Sequence, residues 1–371
     1  MTAESMPNRP RPCIGQSPPP VCPFIDRERE LALLYGWERD RSGPSILTIV
    51  GLGGMGKTSL GWEWFNKVTG PQGRFQGALW WNFYEAGSDS FFPRCYAYLT
   101  GTALSDCALL SHHFLVERIV SYLQKETLLF VLDGLEREMV AFAPPDAVDV
   151  SQADTSHRIR RIASRAVAEF LKTCAHLNSG SKVLITSRFA LADLEDSSGH
   201  PAQGTQVLEL GGFDEVSTRS LLSQLGITEG MDGIVDLVAA LGFHPMTTSL
   251  LARMARDRPT VVERMRSALD AAPSVADRQR RIKDVVGSVG TDARLVAARI
   301  AASHGPVSYS ELAKNEVGPG RALARHSELD RALTQLQDLG LIGWNTKDNV
   351  YDMHPIVRGL LYQADAYDGR E

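Results

Sequence analysis

Residues 51–58 of the chain read GLGGMGKT. They follow a short apolar run, ILTIV at residues 46–50, and precede a stretch in which apolar residues recur at helical spacing. The pattern G-x-x-x-x-G-K-[ST] between a strand and a helix is typical of a loop whose backbone N–H groups bind phosphate oxygens. In such a loop we expect Lys57 to reach the β- and γ-phosphates and Thr58 to supply a hydroxyl group to Mg²⁺. The segment therefore predicts a nucleoside triphosphate site.

The same glycines also fit a second pattern, G-x-G-x-x-G, formed by Gly51, Gly53 and Gly56. That fingerprint binds dinucleotides and requires an acidic residue about 20 positions further on. The nearest acidic candidate, Glu85, lies 34 residues after Gly51. The dinucleotide interpretation also gives the Lys-Thr pair no role, so we favour the triphosphate.

Two later apolar runs end in polar residues that suit a phosphate site. Residues 128–133 (LLFVLD) end in Asp133, 76 residues after the lysine of the first motif, and a carboxylate there suits the magnesium shell. Glu136 is a candidate to polarise the attacking water, with an exposed loop glutamate as the alternative. Residues 182–188 (KVLITSR) end in Arg188, which suits a charge-assisted hydrogen bond to a γ-phosphate, although a surface arginine needs no special explanation.

Apolar runs and helical stretches alternate through the first half of the chain. Strands are predicted at 46–50, 78–84, 128–132, 183–186 and 207–210, and helices at 57–68, 91–102, 114–125 and 157–177. Strands separated by helices pair in parallel through crossover connections. The fold class is therefore predicted as α/β, a P-loop NTPase with a doubly wound parallel sheet, followed by a small helical domain and a winged-helix domain.

With 371 residues, the chain is too long for a single hydrophobic core. Three amphipathic helices and then a hairpin, at residues 341–345 and 350–353, predict the winged helix. Seven prolines among the first 23 residues predict a tail rather than a helix or a central strand. The predicted divisions are a proline-rich tail at 1–23, a P-loop nucleotide-binding domain at 24–212, a helical domain at 213–288, a winged-helix domain at 289–365 and a tail at 366–371.

Composition narrows the class of protein. A hydrophobic share of 43% and a charged share of 22% match an ordinary globular protein, and no apolar stretch is long enough to span a membrane. We therefore expect a cytoplasmic protein without a membrane partner. The five cysteines are scattered and never form a C-x-x-C pair, so neither a disulfide framework nor a zinc site is predicted. A net charge of -5 argues against nucleic acid as the main partner.

Four motifs together resemble a known family. They are FIDRERE at 24–30, LDGLE at 132–136, LGFHP at 241–245 and MHP at 353–355. With the phosphate loop, their order is similar to that of the STAND ATPases, and specifically of the NB-ARC-like members: apoptotic protease activating factors, plant disease-resistance proteins and bacterial relatives. The resemblance covers residues 24 to about 362. Asp26 stands where relatives carry glycine, Arg137 where many carry a second acid, and Pro355 where they carry aspartate.

The resemblance implies roles for particular residues. Arg27 would lie near the nucleotide, Pro245 would pack beside the adenine, and His354 would contact the β-phosphate of ADP. Lys57, Asp133, Glu136 and Arg188 would form the catalytic set, with Thr58 and Asp133 holding Mg²⁺. The loop residues implied in nucleotide binding are Gly51, Gly53, Gly54, Met55, Gly56, Lys57, Thr58 and Ser59.

The resemblance also implies a function. It predicts a signalling switch that is held closed with ADP, opens or forms a homo-oligomer with ATP, and hydrolyses ATP slowly to ADP and phosphate. The implied setting is defence or cell-death-type signal transduction, with effector and sensor domains or partner proteins outside this chain.

Two other classes of function stay open at this point. One is an ATPase that uses the winged helix on DNA, as an origin-recognition-like protein or a transcriptional regulator. The predicted recognition helix, residues 328–339, carries three acids against one base, and residues 290–371 hold nine bases and eleven acids, which opposes phosphate contact. The other is a P-loop enzyme that phosphorylates a small molecule, which gives the winged helix no role.

Overall fold

A computed structural model of the protein describes residues 13–14, 24–70, 72–140, 157, 160–240, 242–257, 291–303, 307–314, 326–338, 342–345 and 350–353. The described residues form two compact units. The first contains those of 1–52 and 56–210, and the second contains those of 53–55 and 211–371. His354 and the predicted turn of the hairpin lie outside the described residues.

The first unit is built on a six-stranded sheet in the order β1-β3-β4-β5-β2-β6, in which every described pair is parallel. The strands are β1 (Cys13–Ile14), β2 (Ile46–Val50), β3 (Gly77–Asn82), β4 (Leu128–Asp133), β5 (Lys182–Ser187) and β6 (Thr205–Glu209). The predicted parallel α/β sheet is therefore confirmed. One difference is β1, a two-residue strand within the segment predicted as a tail, which pairs with β3 at the sheet edge.

Among the described residues, six helices accompany this sheet. They are α1 (Glu28–Arg39), α2 (Lys57–Val68), α3 (Ser88–Thr100), α4 (Leu104–Cys107), α5 (His112–Lys125) and α6 (Arg165–Cys174). Helix α5 begins where the Ser111 side chain accepts a hydrogen bond from Phe114 N, a side-chain cap for an otherwise free N–H group. Every residue of β4 and β5 is buried, as expected for central strands of a parallel sheet covered on both faces.

The helix predicted at 157–177 is shorter than expected, and its start is wrong by several residues. Ser164 caps α6 by accepting from Val167 N, so the helix begins at Arg165. The residues just before it make long-range backbone bonds instead: Val140 N donates to Arg161 O, and Ala163 N donates to Glu138 O. Tertiary pairing here overrides a local pattern that suits a helix.

The described residues of the second unit form two hydrophobic clusters. Helices α7 (Glu215–Gln224), α8 (Met231–Ala240) and α9 (Pro245–Asp257) pack around Leu222, Val238 and Leu251. The other cluster joins α10 (Thr291–Ala302), α11 (Tyr309–Lys314) and α12 (His326–Asp338) to an antiparallel sheet in the order β7-β9-β8, formed by β7 (Val307–Ser308), β8 (Ile342–Asn345) and β9 (Val350–Met353).

The assignment of this last part as a winged helix stays a prediction, as do the domain limits. In the part of the chain that the structure describes, no helix has the length and apolar character needed to cross a membrane.

Candidate nucleotide site

The predicted site residues follow strands whose carboxyl ends meet at one edge of the sheet. Val50, the last residue of β2, pairs with Ser187 of β5, and Asn82 of β3 pairs with Asp133 of β4. Because β4 and β5 are also neighbours, the loops that leave these strands emerge side by side. Ligands of open parallel sheets bind at this edge.

The loop of residues 51–56 connects β2 to α2 through a left-handed turn. Gly56 precedes the helix with φ 93°, a conformation that side chains with a Cβ rarely adopt. Lys57 and Thr58 are the first two residues of α2, and Ser59 completes the first three, whose N–H groups have no partner within the helix. The free N–H groups and the helix dipole together favour a phosphate at this position.

Lys57 is buried, with 8% of the residue exposed, and its ammonium group binds the loop itself. Nζ donates to Gly51 O at 2.6 Å and to Leu52 O at 2.9 Å. Desolvation lowers the pKa of Lys57 to about 8, against the opposing effect of the nearby Glu136 charge. The ammonium is thus held by backbone carbonyls that phosphate oxygens can replace with a stronger, charged partner.

Asp133 is bound by two threonine hydroxyls. Thr58 Oγ1 donates to its Oδ1 at 2.8 Å, and Thr186 Oγ1 donates to the same oxygen at 2.6 Å. Thr186 Oγ1 also accepts from Gly134 N, which locks the turn after β4 to β5. Desolvation nevertheless raises the pKa of Asp133 to about 6, because these two hydrogen bonds only partly offset the burial of its charge.

The Thr58 hydroxyl and the Asp133 carboxylate fit a magnesium site. Mg²⁺ prefers oxygen ligands and is usually held by one or two protein groups together with substrate phosphates and water. The hydroxyl and the carboxylate already lie within hydrogen-bond distance of each other. Within the described ranges, no group of three or more His, Cys, Asp or Glu side chains is arranged to hold a metal ion by itself.

Glu136 lies in a short 3-10 helix, Leu135–Glu138, directly after β4, and only 2% of it is exposed. Arg188, just past β5, places its Nε 3.1 Å from Glu136 Oε1. Among the charges that act on the Lys57 ammonium, that of Glu136 is the strongest, followed by those of Arg188 and Asp133. The four residues of the predicted catalytic set therefore form one electrostatic cluster; their roles stay predictions.

The remaining predicted contacts lie elsewhere in the chain. Arg27 belongs to the first unit, where its buried guanidinium donates from Nη1 to Glu30 Oε1 at 3.0 Å. Pro245 is the first residue of α9 in the second unit. His354 lies outside the described residues. The nucleotide contacts proposed for these three residues stay predictions.

Sequence reasoning missed three residues that the structure places against predicted site residues. Thr186 binds Asp133, and Tyr84 donates from Oη to Glu136 Oε1 at 2.7 Å. The third is His244, whose Nε2 lies 2.9 Å from Gly53 O, both residues belonging to the second unit. Tyr84 ends the run predicted as a strand at 78–84, so the alignment of parallel strand ends was the available signal for it.

The imidazole tautomer of His244 follows from its partners. Thr247 N donates to Nδ1 at 3.4 Å, so Nδ1 is the acceptor. Nε2 faces the carbonyl oxygen of Gly53 and must therefore carry the proton. The ring thus joins the first turn of α9 to the tip of the phosphate loop.

The fold and this cluster define a P-loop nucleotide-binding protein. Residues 34–168 match the family model of the NB-ARC domain. This part of the chain is therefore similar to the NB-ARC domain. No curated protein matches the chain.

Several solved structures have a similar fold. A STAND protein with a tetratricopeptide repeat sensor from Pyrococcus horikoshii is 15% identical, with a TM-score of 0.49, and the match covers 98% of this chain and 44% of that one. A Walker-type ATPase of Pyrococcus abyssi is 14% identical over 91% of this chain and 96% of its own, with a TM-score of 0.41.

The ORC2 protein of Aeropyrum pernix, in complexes with ADPNP and ADP, is 13% identical over 93% of this chain and 97% of its own, with a TM-score of 0.40. The chain spans less than half the length of the Pyrococcus horikoshii protein.

Proposed function

We propose that the protein is a nucleotide-operated signalling switch that binds ADP and ATP with Mg²⁺ and hydrolyses ATP slowly. The observation that carries the proposal is the cluster of Lys57, Asp133, Glu136 and Arg188 at the end of a phosphate loop. Two cations and two carboxylates in this arrangement match the charges of a magnesium–triphosphate complex.

Each member of the cluster has a role in the proposal. Lys57 exchanges the carbonyls of Gly51 and Leu52 for phosphate oxygens. Thr58 and Asp133 hold Mg²⁺, which supplies charge neutralisation for the phosphates when it is bound. Glu136 accepts the proton of the attacking water, and Arg188 binds the γ-phosphate, which ADP lacks.

The proposal includes a cycle in which ADP holds a closed form and ATP favours an open or oligomeric form. Arg188 is the described residue that would distinguish the two nucleotides, and the predicted contact of His354 with the β-phosphate would add to the ADP-bound form. On family resemblance alone, we extend the proposal to defence or cell-death-type signalling through effector and sensor parts outside this chain.

Two variants test the site. Lys57→Ala should abolish ATP and ADP binding, because it removes the ammonium that pairs with the phosphates. Glu136→Gln should keep nucleotide affinity and slow single-turnover phosphate release by about 100-fold or more, the range typical of a lost general base. Binding is measured by calorimetry and turnover by rapid quench.

Matched controls lie in α2, which contains Lys57, and in the 3-10 helix that contains Glu136. Lys67→Ala removes an exposed lysine from the far end of α2, where it pairs with Glu63. Glu138→Gln makes the same chemical change two residues after Glu136 and leaves an oxygen to accept from Ser88 N. Both should bind and hydrolyse ATP normally. Wild-type nucleotide affinity in Lys57→Ala would refute the proposal.

A further inference from the structure

Two hydrogen bonds fix the backbone around Tyr84, just past the end of β3. Phe83 N donates to Asp133 O at 2.9 Å, which extends the pairing of β3 and β4 by one residue. The Asn82 side chain then accepts from Tyr84 N at 2.9 Å, so the backbone turns immediately after the strand. The tyrosine is therefore held beside the turn that follows β4.

Gly134 provides the space for the tyrosine ring. A Cβ atom built at this glycine would lie 2.4 Å from Tyr84 Cδ2, closer than any real contact allows. The guanidinium groups of Arg137 and Arg188 lie 5.5 Å and 5.9 Å from the ring centroid. The ring thus packs against a bare backbone position, and both guanidinium groups lie within the distance at which a cation attracts the face of an aromatic ring.

The hydroxyl of this ring meets the buried carboxylate of Glu136. Although 41% of Tyr84 is exposed, its Oη donates to Glu136 Oε1, the oxygen that also forms an ion pair with Arg188 Nε at 3.1 Å. Desolvation and the charge of Glu136 raise the pKa of Tyr84 above its ordinary value of 10.0, so the phenol keeps its proton at neutral pH. The Tyr84 hydroxyl therefore remains a hydrogen-bond donor to Glu136 at neutral pH.

The two oxygens of Glu136 have different surroundings. Oε1 accepts from Tyr84 Oη and forms an ion pair with Arg188, whereas Oε2 is buried and has no hydrogen-bond partner among the described residues. A buried carboxylate oxygen without a donor is costly unless a ligand or water satisfies it. The geometry leaves Oε2 as the oxygen available to a water molecule.

We propose that Tyr84 is a positioning residue, which holds Glu136 through Oε1 so that Oε2 takes the proton of the attacking water. This inference rests on the proposed function. In the step concerned, one O–H bond of water breaks and its proton moves to Oε2, the water oxygen bonds to the γ-phosphorus, and the bond to the β–γ bridging oxygen breaks. ADP and phosphate leave, and Glu136 returns the proton to solvent.

Tyr84→Phe tests the proposal because it removes the hydroxyl and keeps the ring on Gly134. We expect kcat for ATP hydrolysis to fall at least about tenfold, with KM, ADP affinity and melting temperature unchanged, since the lost group acts through the base. Tyr96→Phe makes the same change on α3, where the ring packs against Phe114, and should leave kcat unchanged.

A double-mutant cycle gives the sharper result. In a Glu136→Gln background the tyrosine has no base to position, so adding Tyr84→Phe should cause no further loss of kcat. Wild-type kcat in Tyr84→Phe, additive losses in the cycle, or a change confined to KM would each overturn the inference while the proposed function stands.

Other results would show that the proposed function, rather than only the inference about Tyr84, is wrong. A wild-type protein that binds no nucleotide would remove the switch and the inference together. A wild-type protein that binds ATP without any turnover would overturn the inference and the hydrolysis step of the proposed function, while nucleotide binding would stand.

Discussion

At the residue scale, the nucleotide site contains buried charged groups whose ionised forms are disfavoured by desolvation. Desolvation raises the pKa of Asp133 and lowers that of Lys57, so each group is held in a form that its surroundings disfavour near neutral pH. Such groups are costly in the free protein and gain their partners only when phosphate and a cation arrive. We therefore expect the empty site to reduce stability.

Replacing Asp133 by Asn should make the free protein more stable at neutral pH and inactive as an ATPase. Between the ordinary pKa of 3.8 and the raised value of about 6, the folded state holds a proton that the unfolded chain has lost. The contribution of Asp133 to stability therefore falls as pH rises through this window, and the ionised group destabilises the fold above it. An amide keeps an oxygen to accept from Thr58 and Thr186 without the buried charge.

Asp133→Asn should raise the free energy of unfolding by about 1–3 kcal/mol at pH 7.5. The upper limit corresponds to a rise of about two units in the pKa of Asp133 on folding. The gain should disappear as pH approaches 4. Urea denaturation at several pH values measures it. Asp196→Asn is the contrasting control, because hydrogen bonds from Ser198 N and His200 N lower the pKa of that exposed carboxyl. A loss of stability in Asp133→Asn at pH 7.5 would contradict the prediction.

The sequence could identify the residues that contact a ligand better than those that support them. Lys57 and Asp133 could be predicted because the loop motif and the strand-end position belong to single segments of chain. Tyr84 and Thr186 each act on a residue about 50 positions away. Their positions near strand ends could be predicted from the sequence, but their partners depend on strand register, which the sequence does not specify.

At the element scale, the start of α1 shows how a backbone conformation can decide which residue is favoured. Asp26 and Arg27 both have positive φ, 57° and 74°, immediately before the helix. Asp26 occupies the position where the family that this segment resembles carries glycine, the residue that adopts this conformation without steric cost. The segment resembles the family motif, and its backbone explains the family's preference.

Asp26→Gly should therefore be more stable than Asp26→Ala by about 0.5 kcal/mol, the difference between the left-handed cost for a residue with Cβ and the larger chain entropy of glycine. Both variants lose the carboxylate, and only alanine keeps a Cβ atom at this positive φ. Thermal unfolding of the three proteins gives the comparison. Equal melting temperatures for the glycine and alanine variants would show that backbone strain plays no part.

Element boundaries were the least predictable part of the fold. Lys57–Val68 was predicted to the residue because the loop motif fixes its start. The helix predicted at 157–177 begins at Arg165 instead, because Ala163 N and Arg161 O are engaged by the segment after β4. Local periodicity carries no information on such long-range bonds.

At the scale of the whole molecule, the alternation of strands and helices predicts parallel pairing but not the strand order. The order places β4 and β5 between β3 and β2. The phosphate loop after β2 and Asp133 at the end of β4 are separated in sequence by β3, yet they adjoin one site. Crossover connections can pass over one neighbour or several, and the sequence does not specify which. The six-strand order became known only from the three-dimensional structure.

A switch of the whole molecule requires more than one contact that differs between nucleotides. A ligand shifts an equilibrium only by its difference in affinity for the two states, and moving it from 1:99 to 99:1 takes about 5.5 kcal/mol. A hydrogen bond to a charged group contributes about 1.5–3 kcal/mol. Arg188 alone is therefore insufficient, and contacts between copies of the chain are the simplest source of the remainder.

We therefore expect ATP to change the association state of the protein. Glu136→Gln, which should hold ATP without hydrolysing it, should have the mass of several chains with Mg-ATP and of a single chain with Mg-ADP, as measured by light scattering during size-exclusion chromatography. Lys57→Ala should remain a single chain under both conditions, because it lacks the group that binds the phosphates. The same mass with both nucleotides, once calorimetry has verified that each binds, would refute an oligomerising switch, because the γ-phosphate would then favour no assembled state.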